Sequence, residues 1–453
     1  MELYSIIIIL LAVVIGVSPL ADKLKIPYPV LLLAAGIVAG LLIPDFHRLA
    51  LNPEIVFLIF LPPLLYDAAY NISFREFKLH FSTIFLLGIS LVFLTASGIA
   101  VVAHYCIPDM SWSLAFVLGA ILAPPDAVAA TSTTKGLGLP GRTITVLEGE
   151  SLINDASALV AFRFATAAVA GSAFVPLTAI SFFIMALIGG VVVGLVISIL
   201  LVWIVRKKWV NNNVIVALNL MLPFVAYLVA ENLHVSGVIA AVTIGLHIAS
   251  HKKYFPEHVV QQSKSTLDTI TFILTGVVFT LIGLEFPDIL KHIPTGRILP
   301  LIGCSFLIFL VALVIRMGII FWHRQNTRNR YNSIKMRIDS MDDEIKAAIQ
   351  QRYALLSLRR KRKNKPPLTS LNERLEESEK LLFTWKEAIV IGWSGMRGIV
   401  SVAAAMSLPM IMADGSNFPQ RDTILFLTVS VVIIMLVIQG IGLPFLVKLL
   451  KMK

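Results

Sequence analysis

Charged side chains are scarce in this chain. Aspartate, glutamate, lysine and arginine make up 14% of its 453 residues, where soluble domains carry about 25%. With 57% hydrophobic residues and a mean hydropathy of +0.85, it reads as an integral membrane protein. Cysteine is nearly missing. Cys106 and Cys304, both in or beside apolar runs, are too few for a disulfide framework or a cysteine metal site, and they leave the redox compartment open. No GxxxxGK[ST] loop occurs, so the chain lacks a phosphate cradle for ATP hydrolysis. Long apolar runs replace the short alternating strands that would indicate a membrane barrel. A cleavable leader carries its positive residues first, but here Glu2 precedes the first apolar run and Lys23 and Lys25 follow it. That run reads as a span that stays.

A helix needs roughly 20 apolar residues to cross the hydrocarbon. Thirteen runs approach this, near 3–20, 28–43, 54–70, 81–105, 113–132, 144–170, 176–205, 213–231, 235–250, 266–285, 298–322, 386–411 and 422–447. The expected fold is all-α and polytopic, with about thirteen transmembrane helices. One alternate set of loops holds Lys23, Lys25, Arg75, Lys78, Lys135, Arg142, Arg206, Lys207, Lys208, Lys252, Lys253 and Lys264. The other set holds only Arg48, Lys291, Arg297 and Arg421. This bias places the basic set in the cytoplasm, the N-terminus outside and the C-terminus inside. It also accounts for most of the +11 surplus, so nucleic acid is not needed as a partner. The polar insert 323–384 divides the membrane part into 1–322, with eleven spans, and 385–453, with two. Its "RRKRKNK" (359–365) and "NERLEESEK" (372–380) read as a solvated, partly helical cytoplasmic loop, with binding to lipid headgroups as the alternative.

Two runs are unfit to be continuous helices. The fifth contains "GAILAPPDAVAATS" (119–132), where Pro124 and Pro125 remove two backbone donors beside Asp126. The twelfth contains "GWSGMRGIVS" (392–401), where Gly395 and Gly398 flank Arg397. The two lie seven spans apart. That is the offset expected if spans one to six and eight to thirteen are inverted repeats joined by the seventh. Interrupted helices in matching positions of two halves point to a transport site.

Ionisable groups at membrane depth cost about 2.5–3.5 kcal/mol each on insertion scales. The candidates are Asp67, Asp126, Glu148, Glu150, Asp155, Arg163, Glu231, Asp268, Glu285, Arg316 and Arg397. Glu231, Glu285 and Arg316 lie near span ends and read as snorkelling side chains. Asp268 reads as interfacial, and Asp67 is placed to reach a neighbouring span. Asp155 lies deep. Helical spacing puts Glu148, Ser151 and Asp155 on one face and turns Glu150 toward a neighbouring helix. Arg397 is the natural partner for Glu150, because arginine stays charged when buried and binds a carboxylate through two donors. Arg163 has no assignable partner.

Four stretches, "FLPPLLYDAAY" (60–70), "LAPPDAVAA" (122–130), "GESLINDASALV" (149–160) and "GMRGIVSVAAA" (395–405), together resemble the monovalent cation:proton antiporters, in the sodium/proton exchanger branch with its bacterial members. The resemblance runs from the first span to the thirteenth. It implies thirteen helices in a dimerisation domain and a core domain, two crossed unwound helices, and a homodimer in the cell inner (plasma) membrane. It makes Asp155, with Asn154, the shared site for cation and proton, matches Asp126 to the acid of the first unwound helix, and matches Glu150 and Ser151 to a Glu-Ser pair. It pairs Glu150 with Arg397, and it implies a cytoplasmic tail in many relatives. One departure stands out. The family commonly reads Thr-Asp-Pro where this chain has Pro125, Asp126 and Ala127, so a threonine ligand is missing. Ser151 or a carbonyl freed by Pro124 and Pro125 would take its place.

The function implied is exchange of a monovalent cation, Na⁺ first, for H⁺, with no cofactor and no enzymatic reaction. Na⁺ needs several oxygen ligands and a negative charge, whereas a proton needs only the carboxylate. A site that holds one or the other, in a protein that reorients only when loaded, exchanges them. The neutral Asn154 implies one-for-one, electroneutral exchange. K⁺/H⁺ exchange is the alternative within the family. A cation channel, an anion symporter and an intramembrane aspartic protease fit less well. A channel filter is usually built by several subunits, an anion needs a free central cation, and no glycine-rich motif encloses a catalytic Asp in the manner a protease requires.

Overall fold

The computed structural model describes residues 3–24, 26–42, 53–126, 137–171, 176–342, 371–412 and 415–452. The second half of the broken fifth run, 127–132, and the basic run 359–365 lie outside the described residues.

Helix dominates. Among the described residues the only β pairing is an isolated bridge between Ile411 and Asn417. The helices are α1 (Leu3–Leu24), α2 (Tyr28–Leu42), α3 (Pro53–Asn71), α4 (Phe74–Leu79), α5 (Phe81–Cys106), α6 (Trp112–Leu122), α7 (Gly141–Val169) and α8 (Pro176–Arg206). They continue as α9 (Asn212–Asn232), α10 (Gly237–His251), α11 (Glu257–Lys291), α12 (Thr295–Asp339), α13 (Leu371–Lys380), α14 (Trp385–Trp393), α15 (Ile399–Met406) and α16 (Arg421–Leu449). Seven of them, α5, α7, α8, α9, α11, α12 and α16, contain stretches long and apolar enough to cross a membrane by length and composition. Shorter apolar helices lie within α1, α2 and α6.

Local signals set many of the ends. Ser111, Asn211 and Ser236 accept the free N–H of Leu114, Val214 and Ile239 at the starts of α6, α9 and α10. The prolines at 124 and 125 follow the end of α6 at Leu122, as missing donors require. Two features have no such signal. A π turn at Leu87–Leu91 interrupts α5 and another at Leu436–Gly440 interrupts α16. Such turns insert an extra residue into the helical ladder and re-aim the side chains around them.

Two hydrophobic clusters organise the membrane part. One gathers α5, α6, α12, α15 and α16 around residues such as Ile99, Leu118, Ile308, Ala405 and Phe426. The other gathers α3 and α8 to α11 around Tyr66, Val202, Ala226, Ile244 and Leu267. Close backbone approach joins α2 to α11, where a Cβ on Gly36 would overlap the carbonyl of Thr280 and one on Gly283 that of Leu33.

The chain divides into two compact units. Residues Met1–Arg316 with Val390–Lys453 form the first, and Met317–Ile389 the second. The second holds the polar end of α12, which runs on to Asp339 instead of stopping near 322. Within it Arg324 donates to the carbonyl of Phe383 at 3.1 Å. Thr384 and Glu387 form a reciprocal capping box, Glu387 N–H to the Thr384 hydroxyl at 3.2 Å and Thr384 N–H to the Glu387 carboxylate at 2.8 Å.

Candidate ion-binding site

The two interrupted segments meet. After α6 ends, Ala123 to Asp126 run without helix, and between α14 and α15 so do Gly395 to Gly398. The Asp126 N–H donates to the carbonyl of Met396 at 2.7 Å. A helix end leaves its last carbonyls without intrahelical donors and carries a partial negative charge. Arg397, 2% exposed, answers both needs. Its Nε donates to Leu122 O at 2.7 Å, Nη2 to Ala123 O at 3.4 Å, and Nη1 to Gly395 O at 2.9 Å.

Gly398 lies against Asp126 so closely that a Cβ there would overlap the carboxylate Oδ2. Gly398→Ala is therefore expected to push Asp126 from its position and to cost about 1–3 kcal/mol. Thermal unfolding of the detergent-solubilised protein checks this. An unchanged midpoint would show that the two segments separate more easily than their packing indicates.

Helix α7 presents Asn154 and Asp155 to this junction. Glu150, Ser151, Asn154 and Asp155 are all at most 2% exposed, and Asp126 is 5% exposed. The Asn154 side chain donates from Nδ2 to the carbonyl of Pro125 at 3.3 Å. That carbonyl belongs to the first interrupted segment, so the bond ties α7 to it and leaves Oδ1 as the free end of the amide. Asn154 Oδ1 and Asp155 Oδ1 are buried and have no hydrogen-bond partner. Buried polar atoms are rarely left so. Asp126 stands within electrostatic reach of Asp155. Two orphaned oxygens beside a second acid form a set that an oxygen-seeking cation or a proton would complete. Among the described residues no cluster of three His, Cys, Asp or Glu side chains is built to hold a resident metal.

One expected pair is corrected. The carboxylate of Glu150 is bound by Arg316, not by Arg397, through Nη1 at 2.5 Å and Nη2 at 2.9 Å. Arg316 is 2% exposed and also donates from Nε to Ile391 O at 3.2 Å. It is no snorkelling residue at a span end, because α12 continues well past it. Gly395 makes room for its stem, since a Cβ there would collide with Arg316 Cδ and Nε. Arg397, meanwhile, is committed to the carbonyls at the end of α6 and to that of Gly395. The clue to Arg316 was present in the sequence: it stands inside "LVALVIRMGII" (310–320) with no polar neighbour.

Other candidates find partners outside this junction. Arg163 pairs with Glu231 at 3.0 Å, and Glu231 also accepts from Gly237 N–H at 3.3 Å. Neither side chain is buried by the protein itself. Asp67 reaches the neighbouring helix, accepting from Thr271 on α11 at 3.3 Å and from Asn71 at 2.7 Å. The π turn of α5 packs on α7, where a Cβ on Gly88 would meet Ile153 and the Glu150 carbonyl. That of α16 receives the Trp393 indole N–H on the carbonyl of Gln439 at 3.2 Å.

The chain as a whole is similar to known proteins. The family described as sodium/hydrogen exchanger, transmembrane, matches residues 7–333 and 374–449. The sodium, potassium, lithium and rubidium/H⁺ antiporters of Bacillus pumilus and Bacillus subtilis are 29% and 30% identical over 98% of this chain. The chain spans about six tenths of their length, 61% and 62%. A Na⁺/H⁺ antiporter of Halobacillus dabanensis is 29% identical, with 98% of this chain and 97% of the relative covered. The solved structure of the sodium proton antiporter from Methanocaldococcus jannaschii at pH 8 superposes with a TM-score of 0.68 over 97% of this chain and 96% of that one, at 15% identity. The last likeness is one of fold.

Proposed function

The chain belongs to the sodium/hydrogen exchanger family, and we propose that it is a transporter, not an enzyme, that exchanges a monovalent cation, Na⁺ first, for H⁺ by alternating access. The observation that carries this reading is the buried, orphaned oxygen pair of Asn154 and Asp155 at the junction of two interrupted segments. Asp155 supplies the charge and accepts either a proton or the cation. Asn154 Oδ1, the Ser151 hydroxyl and Asp126 supply further oxygens. Two neighbouring carboxylates favour one shared proton or one bound cation over two bare charges. Arg397 holds the first segment in place through Leu122 and Ala123, and the Glu150–Arg316 pair fixes α7 against α12.

The path alternates as the cluster of α5, α6, α12, α15 and α16 moves against the cluster of α3 and α8 to α11. Thirteen crossings in two inverted six-helix repeats, an outside N-terminus, a cytoplasmic C-terminus and a homodimer in a bacterial inner membrane complete the proposal. The names of the Bacillus relatives give specific support to K⁺ as an alternative cargo.

Transport in proteoliposomes, followed with a pH dye, tests the assignment. Each alkali cation is supplied in turn, and a cation gradient is expected to drive proton movement. With a neutral Asn beside the acid, one proton leaves for each cation that enters, so an imposed membrane potential is expected to leave the initial rate unchanged. A rate that follows the potential would sink one-for-one exchange, and ion flux without coupled proton movement would sink the antiporter.

A further inference from the structure

The two cysteines of the chain are far apart in sequence, on α5 and α12, yet their side chains lie close enough to interact. The packing of the two helices leads independently to the same neighbourhood. A Cβ on Gly98 of α5 would meet Val311 and Ile315 of α12. In an antiparallel pair, moving about eight residues forward on α5 and the same number back on α12 brings Cys106 opposite 303 to 307, where Cys304 stands. Cys304 is 5% exposed and belongs to the same hydrophobic cluster as Ala100 and Ala103 of α5. Cys106 is exposed and ends its helix, followed directly by Ile107, Pro108 and Asp109. Exposed Tyr105 and Trp112 flank it, as aromatic side chains do at a membrane surface.

We propose that Cys106 and Cys304 are a disulfide site on the outer side of the membrane, joining α5 to α12 when a disulfide-class oxidant is present. The reaction is ordinary thiol–disulfide exchange. The Cys106 thiolate attacks a sulfur of the oxidant, forming a mixed disulfide and releasing one oxidant thiol. Cys304, deprotonated as it reacts, attacks Cys106 Sγ and expels the second oxidant thiol. Two protein thiols lose two electrons and two protons, and one oxidant disulfide becomes two thiols. The outer location rests on the loop after α5 belonging to the set poor in basic residues, and an oxidising outer compartment suits it. Both helices lie in one hydrophobic cluster. The bridge therefore staples a body that moves as a whole and does not bar exchange.

The test uses the full chain in its membrane. Intact cells are exposed to oxidised glutathione, which does not cross the membrane. Free thiols are then blocked with N-ethylmaleimide, and peptides are analysed by mass. The expected product is the Cys106 peptide joined to the Cys304 peptide, two hydrogens lighter than the pair, and absent from Cys106→Ser and Cys304→Ser. Recovery of both cysteines blocked by N-ethylmaleimide, or of Cys106 carrying glutathione with Cys304 free, overturns the proposal. The bridge is expected equally in Asp155→Asn, so its failure is separable from a failure of the transport reading. Bridged protein in proteoliposomes is expected to exchange ions at the rate of the reduced protein. Arrest by the bridge would overturn the placement of both helices in one moving body.

Discussion

Replacing Asp155 by Asn is expected to reduce cation-driven proton movement to background while leaving the folded protein at or above wild-type stability. The two expectations have one cause. Asp155 Oδ1 makes no hydrogen bond in the folded chain, so the substitution removes no structural contact there. It does remove a charge from a site that is 2% exposed and close to Asp126. Isolated charges are costly at that depth, so the neutral amide of nearly the same shape folds at least as well. Transport, in contrast, loses the charge with which the proposed site holds a proton and a cation in turn. The pH-dye assay and a thermal unfolding curve on the same preparation read both. Coupled exchange by this variant would remove Asp155 from the role proposed for it. Loss of folded protein together with transport would make the residue structural.

Arg316→Met is expected to give the largest loss of stability, about 3–5 kcal/mol, because it leaves the Glu150 carboxylate buried without its two donors. Met keeps much of the stem that lies against Gly395, so the effect measured is chiefly that of the uncompensated charge. Adding Glu150→Gln removes the charge and is expected to restore most of the folded yield. The same Glu150→Gln substitution is not expected to rescue Arg397→Ala, whose lost contacts are the carbonyls of Leu122, Ala123 and Gly395. A double-mutant cycle for each arginine, read as an unfolding midpoint, separates the cases. Strong coupling of Glu150 to Arg397, with none to Arg316, would reverse the assignment.

These two arginines show where reading the sequence runs out. Each is one basic residue in an apolar run, and Arg397 reads as the natural partner of Glu150 while Arg316 reads as a snorkelling side chain. The resemblance to the exchangers favoured Arg397. Arg316 was set aside because the hydrophobic signal fades near 322, which made it look like a residue at a helix end. The helix itself does not stop there, since polar residues carry it on to Asp339. Hydropathy marks where apolar residues end and not where the backbone hydrogen bonds end. The role of Arg397 was hidden for a different reason. Its acceptors are main-chain carbonyls, which occur at every position and have no signature in the residue types.

The sequence by itself determined the scarcity of charge that calls for a membrane, the long apolar runs that become helices, and the two places where helices break. It also placed Asn154 and Asp155 deep within the run that becomes α7. All of these follow from local causes, namely the missing proline N–H, the freedom of glycine and the period of the helix. Tertiary structure alone decided that Pro125 would receive the Asn154 amide, that Gly398 would bear on Asp126, and that Arg316 would reach Glu150. Those contacts depend on how helices distant in sequence cross, and on which of two arginines of equal reach arrives beside the acid. Crossing geometry is fixed by the packing of all the neighbouring side chains together, and no short stretch of residues contains it.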